Sequence, residues 1–331
     1  MYLNYVEHIK KGCPMDSIIF YHDDLDGLLS ALGFAYNDYK QKFPAECPNY
    51  KDLKRRYFFY EVHYGIKDIF EILDKQKVDI NCFKKAVIVD FCFDRKTMSK
   101  LLSIFKKKLI WIDHHRNLIT ELSDLEITGI RDTNNSASAL VWKYFGKEPA
   151  LLSEYVQDMD LWAWELPDSR DVLQYICYLY LQTHDREANR ESEILDEFIR
   201  LFDNEYFKKC LPVFKEYGKL MNSYINTKVK DDVSAGSQIV FEGISSFVVN
   251  TQLKAGHVSD YIFNSKNYKS IELVIVWYRY YGYENGENQK PFDKVSLRSK
   301  NIDCSIIAKK YGGNGHPKAS GFVCDDISKL L

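Results

Sequence analysis

Aspartate and histidine, the side chains that bind divalent metals, are concentrated at four places in the sequence. These places are residues 22–27 (HDDLDG), Asp90, residues 113–115 (DHH) and residues 157–162 (QDMDLW). Mixed imidazole and carboxylate ligands suit Mn²⁺ better than Mg²⁺. A pair of such ions about 3.5–4 Å apart is a usual arrangement for hydrolysing phosphate esters. The side chains therefore predict metal-dependent phosphate chemistry if the fold brings them together.

The first three of these places each follow a predicted strand. Short runs of apolar, β-branched or aromatic residues predict strands at residues 17–21, 57–62, 86–89 and 109–112. Helical patterns separate these strands, which favours a Rossmann-like α/β domain with a parallel sheet and right-handed crossovers. Ligands of an open parallel sheet bind beyond the carboxyl ends of its strands, so we expect the acids to converge there.

The rest of the chain predicts a connector and a second domain. Asp26 is expected to cap the helix after the first strand, and residues 40–56 to form a loop. The pattern is mostly helical from residue 136 to about residue 230 and returns to strands after Asp231. We predict a catalytic domain at residues 1–190, a helical connector at 191–235 and a smaller mixed-sheet α/β domain at 236–331.

Composition limits the classes of function. The 331 residues include 45 basic and 47 acidic side chains, for a formal net charge of -2. So small a charge does not draw a protein onto long nucleic acid, which favours a short substrate held by local contacts. The eight cysteines include no C-x-x-C pair, which argues against a cysteine zinc site. We expect a cytoplasmic protein without membrane contact, because no signal peptide or long apolar run is evident.

Each feature has an ordinary structural interpretation when it is taken alone. An aspartate at a strand end is most often a cap or turn residue, and a histidine pair is most often surface or core structure. The conjunction of the four places is much harder to explain in that way. Four or five carboxylates at one place also disfavour each other's ionisation, which two divalent cations would relieve. Asp90 is the candidate for a ligand shared by both ions.

These motifs, taken in order, resemble those of the DHH phosphoesterases. Residues 22–27 match the first motif of that family (His-x-Asp-x-Asp-Gly), Asp90 matches the second, and residues 113–115 match the motif that names it. Residues 312–322 (GGNGHPKASGF) resemble the glycine-rich signature of the family's associated C-terminal domain. Asn314 and Ser320 depart from that signature, and we expect the loop to survive both changes. The resemblance spans nearly the whole chain.

The resemblance implies an active site in a cleft between the two domains, with two divalent metal ions. Mn²⁺ is the preferred ion, with Mg²⁺ or Co²⁺ as alternatives. His115 would face the phosphate, and Asp113 would orient the histidine pair. Asp158 is preferred to Asp160 as the fourth-motif ligand, because that acid usually lies near the end of a helix before a hydrophobic turn. The implied metal ligands are His22, Asp24, Asp26, Asp90, His114 and Asp158.

The C-terminal domain is implied to bind the distal end of the substrate. Its implied contacts are Arg298, Ser299, Gly312, Gly313, Gly315 and His316. The glycines could present backbone N–H groups to an anion, although a tight strand connection would explain them equally well. The rings of Trp162 and Trp164 could stack nucleobases. Further candidate contacts are Asp160, Arg116 and His257, whereas His184 has no motif around it and is expected to be structural.

Chain length and residues 158–162 resemble the oligoribonuclease (nanoRNase) branch of the family. That branch implies hydrolysis of short single-stranded RNA or DNA to nucleoside 5′-monophosphates, with long duplex nucleic acid excluded as a partner and a homodimer as an open alternative. Cyclic mono- and dinucleotides and 3′-phosphoadenosine 5′-phosphate are alternative substrates. An inactive binding or scaffold protein, or an editing module like that of alanyl-tRNA synthetases, would not need the full set of metal ligands.

Overall fold

The structure is a computed structural model that describes residues 15–63, 66, 68–185, 190–282 and 290–331. The chain forms two compact units, Met1–Lys219 and Leu220–Leu331, which divide within one long helix. A parallel sheet lies in the first unit and a mixed sheet in the second. The predicted α/β class is therefore confirmed.

Four parallel strands form the sheet of the first unit, in the order β2-β1-β3-β4. Their residues are mostly β-branched or aromatic and are buried, which is typical of a parallel sheet covered on both faces. The register pairs Tyr21 with Val89 and His22 with Val62, so the neighbouring strands end at a common edge. The strands are β1 (Met15–His22), β2 (Tyr57–Val62), β3 (Phe83–Val89) and β4 (Leu109–Ile112).

Helices cover both faces of this sheet and form two apolar cores. Successive residues of a strand point to opposite faces, so Ile19 packs into one core and Ile18 into the other. The helices of the first unit are α1 (Leu25–Lys42), α2 (Tyr50–Lys54), α3 (Ile69–Lys75), α4 (Arg95–Phe105), α5 (Arg116–Glu121), α6 (Ala137–Tyr144), α7 (Leu151–Asp160), α8 (Ser169–Thr183) and α9 (Glu191–Arg200). The next helix, α10 (Asn204–Ser234), contains the point at which the two units divide.

The second unit contains a six-stranded sheet in the order β5-β6-β7-β8-β10-β9. Strands β6 and β7 are parallel, and the other neighbours are antiparallel. The register pairs Arg298 with Ala319 and Ala319 with His316, so these three residues lie in one row across the sheet. The elements are β5 (Ser237–Phe241), β6 (Ile244–Asn250), α11 (Ala255–Asn264), β7 (Leu273–Gly282), β8 (Lys290–Ser299), α12 (Cys304–Lys310), β9 (Asn314–His316) and β10 (Ala319–Cys324).

The cap of α1 differs from the sequence prediction. The capping residue is Asp24, whose carboxylate accepts the Gly27 N–H at 2.9 Å. Asp26 already lies inside the helix, because α1 begins at Leu25. The carboxylate of Asp26 is consequently available for contacts outside its own helix.

One longer prediction also differs in detail. The sequence predicts a loop at residues 40–56, but this range contains the end of α1 and the short helix α2, which begins with a capping box between Asn49 and Asp52. The predicted connector at residues 191–235 contains two helices. The first of them, α9, buries Ile194 and Phe198 in the core of the first unit. None of the helices in the described residues is long and apolar enough to cross a membrane.

Ion pairs hold the amino edge of the parallel sheet. Asp16 is 5% exposed, and its carboxylate lies 2.7 Å from Lys84 Nζ, 3.0 Å from Arg56 Nη1 and 3.1 Å from Lys42 Nζ. Burial raises the pKa of Asp16, but hydrogen bonds from these three cations outweigh burial and hold the pKa well below its usual range. The stability of the fold is therefore linked to the ionisation of Asp16.

Asp16→Asn should lower the free energy of unfolding by about 1–3 kcal/mol at neutral pH, because charge-assisted hydrogen bonds are lost. The folded-state pKa is depressed, so the contribution of Asp16 is complete above its unfolded pKa of about 4 and is lost as the pH falls toward the folded value. Denaturant unfolding of both proteins at about pH 7 and about pH 3 should show the difference shrinking at the lower pH.

A matched control is Glu71→Gln, which breaks an exposed ion pair with Lys75. This control should change stability by no more than about 0.5 kcal/mol. An unchanged difference between Asp16→Asn and the wild type at both pH values would contradict the linkage.

Candidate metal centre

The carboxyl edge of the parallel sheet brings three of the predicted motifs together. Strands β1, β3 and β4 are neighbours: His22 ends β1, Asp90 follows β3, and Asp113 follows β4. Asp90 is 2% exposed and adopts a left-handed backbone conformation, with φ of 55°. Residues other than glycine seldom adopt this conformation, and strained positions of this kind cluster at functional sites.

His22, Asp24 and Asp90 form a first group. His22 Nδ1 lies 2.7 Å from Asp24 Oδ2 and 3.9 Å from Asp90 Oδ2. Burial lowers the pKa of His22, but the hydrogen bond with Asp24 outweighs burial and raises it. Burial likewise raises the pKa of Asp24, and the same bond outweighs it and lowers the pKa to about 2.

Asp26, His114 and Asp160 form a second group. His114 Nε2 lies 3.4 Å from Asp160 Oδ2 and 3.2 Å from Asp90 Oδ1, so His114 connects the two groups. The buried carboxylate of Asp26 accepts the backbone N–H groups of Ala137 at 2.8 Å and Ser138 at 3.1 Å, in the first turn of α6. The first N–H groups of a helix have no partner within the helix, so these two can hold Asp26 in place, and each oxygen of Asp26 keeps a second lone pair.

Like charges dominate the electrostatics of these groups. Burial raises the pKa of Asp90 well above its usual range, and the carboxylates of Asp24 and Asp26 raise it further. Burial and the same two carboxylates also raise the pKa of Asp160, although solvent moderates this effect because the side chain is 26% exposed. Within the described part of the chain, no lysine or arginine forms an ion pair with any of these four aspartates.

The donor set fits divalent cations. Asp90 Oδ1 is buried and accepts no hydrogen bond among the described residues, because His114 Nε2 lies near it but outside hydrogen-bond geometry. A bound cation would satisfy this unpaired oxygen and offset the like charges around it. Three overlapping groups have ligand atoms within 4.8 Å of one another: Asp90, His114 and His115; His22, Asp24 and Asp90; and Asp26, His114 and Asp160.

Asp113 fixes the orientation of His115. Asp113 Oδ1 accepts the N–H groups of His114 at 2.7 Å and His115 at 3.2 Å, and it lies 2.8 Å from His115 Nδ1. Burial raises the pKa of Asp113, but the bond with His115 outweighs burial and lowers it, so Nδ1 is the donor to an ionised carboxylate. Burial lowers the pKa of His115, and this bond outweighs it and raises the pKa. His115 Nε2 therefore points to the side of the ring opposite Asp113.

Comparison of sequences finds a distant relative of this protein, and comparison of structures finds proteins with a similar fold. No protein-family model matches the chain. The uncharacterized protein R106 of Acanthamoeba polyphaga mimivirus is 26% identical over 264 residues, which cover 75% of this chain. The match covers 55% of R106, so the chain spans about half the length of this curated relative.

Among solved structures, the DHH domain of a protein assigned to a family of ribosomal proteins is similar with a TM-score of 0.56 and 14% identity. This match covers 99% of the present chain and 87% of the other. The chain has the fold of a DHH domain. RecJ from Thermus thermophilus, solved in complex with Mn²⁺, gives a TM-score of 0.48 and 12% identity over 99% of this chain and 52% of RecJ.

In this DHH fold, Asp160 and not Asp158 lies beside His114. Asp158 is 6% exposed, and its carboxylate accepts the N–H groups of Glu165 at 2.7 Å and Leu166 at 3.3 Å. Residues two positions apart on a helix point in nearly opposite directions, so only one of the two aspartates of α7 can face the other acids. The structure therefore differs from the sequence interpretation, which preferred Asp158 as the ligand.

The other candidates from the sequence are distributed over both units of the DHH fold. Arg116 is exposed and begins α5, directly after His115. Trp162 is half-buried, two residues beyond Asp160. His257 lies in the first turn of α11, in the second unit.

Arg298 and Ser299 of the second unit have different environments. Burial lowers the pKa of the Arg298 guanidinium, and its Nε atom is buried without a hydrogen-bond partner in the described ranges. Ser299 is buried, and its hydroxyl lies 2.6 Å from the Ile302 carbonyl and 3.1 Å from the Pro317 carbonyl. Ser299 therefore positions backbone, whereas Arg298 retains an unsatisfied donor.

The glycine-rich turn is explained by the end of a helix and a strand pair. Gly312 has φ of 77°, and the N–H groups of Gly312 and Gly313 donate to the carbonyls of Lys309 and Ala308, at the end of α12. A Cβ atom at Gly315, where φ is 141°, would lie 2.4 Å from Ser320 Cα. The N–H groups of Gly312 and Gly313 therefore already have backbone partners, and the contact of the glycines with an anion stays a prediction.

Three residues outside the predicted motifs, Glu61, Tyr180 and His184, lie close together, and Tyr180 is near Asp24. Burial raises the pKa of Tyr180 in α8, and the carboxylates of Asp24 and Glu61 raise it further. His184 Nε2 lies 3.3 Å from Glu61 Oε2, and the His184 ring is edge-on to Tyr180 with 4.9 Å between centroids. The position of Glu61 near the other acids could have been predicted, because Glu61 lies at the end of a predicted strand, β2. No local pattern indicates where the end of α8 lies.

Asp160→Asn should weaken Mn²⁺ binding by about 10-fold or more, because a carboxylate next to His114 is lost. Asp158→Asn is the matched control: it removes a carboxylate two residues away whose partners are backbone N–H groups, and it should leave Mn²⁺ affinity nearly unchanged. Calorimetry and electron paramagnetic resonance of Mn²⁺ would measure the Mn²⁺ affinity of both variants. The reverse order of effects would show that Asp158 is the ligand.

Proposed function

We propose that this protein is a metal-dependent phosphodiesterase that hydrolyses short single-stranded oligonucleotides to nucleoside 5′-monophosphates. The observation that carries the proposal is the position of Asp90. It belongs to two potential ligand groups, is buried, and has an oxygen without a hydrogen-bond partner among the described residues. A carboxylate shared by two cations is what a two-metal hydrolytic site requires.

In this proposal each cation has its own ligands. His22 and Asp24 would hold one cation, Asp26, His114 and Asp160 would hold the other, and Asp90 would be a ligand shared by both. Mn²⁺ suits this mixture of imidazole and carboxylate donors, with Mg²⁺ or Co²⁺ as alternatives. When bound, the cations would supply an activated water for hydrolysis and positive charge next to the phosphoryl oxygens.

The remaining roles fall to Asp113 and His115. Asp113 accepts from His115 Nδ1 and so fixes the ring and its tautomer. His115 Nε2 lies on the side of the ring away from Asp113, where it would contact a phosphoryl oxygen and, when protonated, stabilise developing negative charge. Neither residue forms a covalent bond with the substrate in this scheme.

Two observations support a short substrate. The formal net charge of -2 gives little overall electrostatic attraction for a long strand. In the second unit, Arg298 has a buried Nε atom without a partner within the described residues and lies in the same row of the sheet as His316. We propose that these two side chains bind an anionic group of the substrate.

Asp90→Asn should reduce Mn²⁺-dependent turnover by about 100-fold or more, because the shared ligand loses its charge. Mn²⁺ should also raise the unfolding temperature of the wild type and have much less effect on the variant. Asp23→Asn is the control: Asp23 is an exposed acid of the same motif that belongs to none of the three ligand groups. Full activity of Asp90→Asn would refute the bridging role.

A substrate panel with Mn²⁺ tests the class of substrate. RNA and DNA from about two to about twenty-four nucleotides should be cleaved fastest at about two to five, because a nearly neutral chain gains little extra attraction for a longer strand. Cyclic mono- and dinucleotides and 3′-phosphoadenosine 5′-phosphate complete the panel. Faster turnover of one of these small nucleotides would replace the proposed substrate, and faster turnover of long strands would contradict it.

A further inference from the structure

The loop that follows α7 contains two tryptophans in an unusual conformation. Trp162 and Trp164 both have φ of 58°, in the left-handed region. A residue other than glycine rarely occupies this region. Two tryptophans in this conformation, separated by a single residue, are strained, and the surrounding structure must impose the conformation. The Trp164 ring nitrogen is also buried without a hydrogen-bond partner among the described residues, which adds to the cost.

Asp158 imposes this conformation. Its carboxylate accepts the N–H groups of Glu165 and Leu166, and its carbonyl accepts those of Ala163 at 2.9 Å and Trp164 at 3.2 Å. Four consecutive N–H groups of the loop therefore converge on one residue. Such a set of bonds can hold the backbone in a conformation that it would not adopt alone.

The two tryptophans have different surroundings. Trp164 packs against the core of the first unit, and the Arg170 guanidinium lies over its ring at 4.3 Å from the centroid. Trp162 is half-buried and belongs to none of the four apolar clusters of the described residues. It contacts Trp164 edge-on, with 5.1 Å between centroids and 76° between planes. Trp164 therefore anchors the pair, and Trp162 retains an accessible surface.

Trp162 lies close to the candidate metal centre. It is two residues beyond Asp160, so their Cα atoms are at most about 7 Å apart. Asp160 is 3.4 Å from His114 Nε2. A ring in this position is within reach of a nucleobase whose phosphate lies at the metal ligands.

We propose that Trp162 stacks on a nucleobase of the substrate, next to the cleaved phosphate, and that Asp158 is the residue that positions it. The proposal rests on the proposed phosphodiesterase function and deepens it. It makes the base, and not only the phosphate, a determinant of binding. Stacking on tryptophan favours nucleotides over inorganic polyphosphate and over sugar phosphates, and it tolerates different bases because each has a π face.

Binding of adenosine 5′-monophosphate and of ribose 5-phosphate, each with Mn²⁺ and the full chain, measures the contribution of the base. The wild type should bind the nucleotide about 10-fold or more tightly than the sugar phosphate, in the range expected for stacking of one base. Trp162→Ala should lose most of that ratio, and Trp162→Phe should keep most of it. An unchanged ratio in Trp162→Ala would overturn the proposal.

Asp158→Asn tests the positioning role. It should lower the same ratio and raise KM for a dinucleotide more than it lowers kcat, while Mn²⁺ binding persists. A parallel loss of kcat and Mn²⁺ affinity would instead make Asp158 part of the metal centre and overturn its positioning role. Quenching of tryptophan fluorescence by adenosine 5′-monophosphate gives a readout without turnover, with Trp162→Phe as the reference for the Trp162 signal.

The two proposals fail in different ways. If the wild type does not hydrolyse any phosphodiester with Mn²⁺ but binds the nucleotide in preference to the sugar phosphate, the phosphodiesterase function fails and the stacking site stands. If the wild type hydrolyses dinucleotides but binds both ligands equally, the stacking site fails and the function stands.

Discussion

Repulsion between carboxylates at one edge of a parallel sheet is the constraint on which the rest of this structure depends. Asp24, Asp26, Asp90 and Asp160 meet there, and Asp90 is almost fully buried. Each of three has a partner from a different element: His22 for Asp24, the first turn of α6 for Asp26, and His114 for Asp160. Histidine and backbone N–H groups orient these acids, and four carboxylates against two histidines still leave negative charge for cations to offset.

At the opposite, amino edge of the same sheet, the buried acids are paired with basic side chains. Asp16 and Asp38 are also buried there, but lysines and an arginine neutralise them at hydrogen-bond distance. The same residue type therefore has a structural role at the amino edge and, in our proposal, a chemical role at the carboxyl edge. The presence of basic partners distinguishes the two, because a paired carboxylate has little affinity left for a metal.

Much of the fold could be predicted from local patterns. Strands β2 and β4 begin and end where the apolar runs predict, and the acid and histidine motifs fall at strand ends as expected. The predictions that differ concern helix ends and short helices. By residue type, Asp24 and Asp26 are equally suitable as the N-cap of α1. Which of them caps the helix depends on where the helix begins. Residues 40–56 contain prolines and lysines, a composition typical of a loop, so the short helix α2 was not predicted.

The sequence by itself determined the α/β class, the location of the acids at strand ends and the mixed imidazole and carboxylate chemistry. Tertiary structure alone decided which acid of α7 faces Asp24, Asp26 and Asp90. Asp158 and Asp160 are the same residue type and differ only in the direction of their side chains. It also decided that α6 holds Asp26 and that the end of α8 lies near Asp24. These facts depend on contacts between residues far apart in the chain, which no periodicity or spacing encodes.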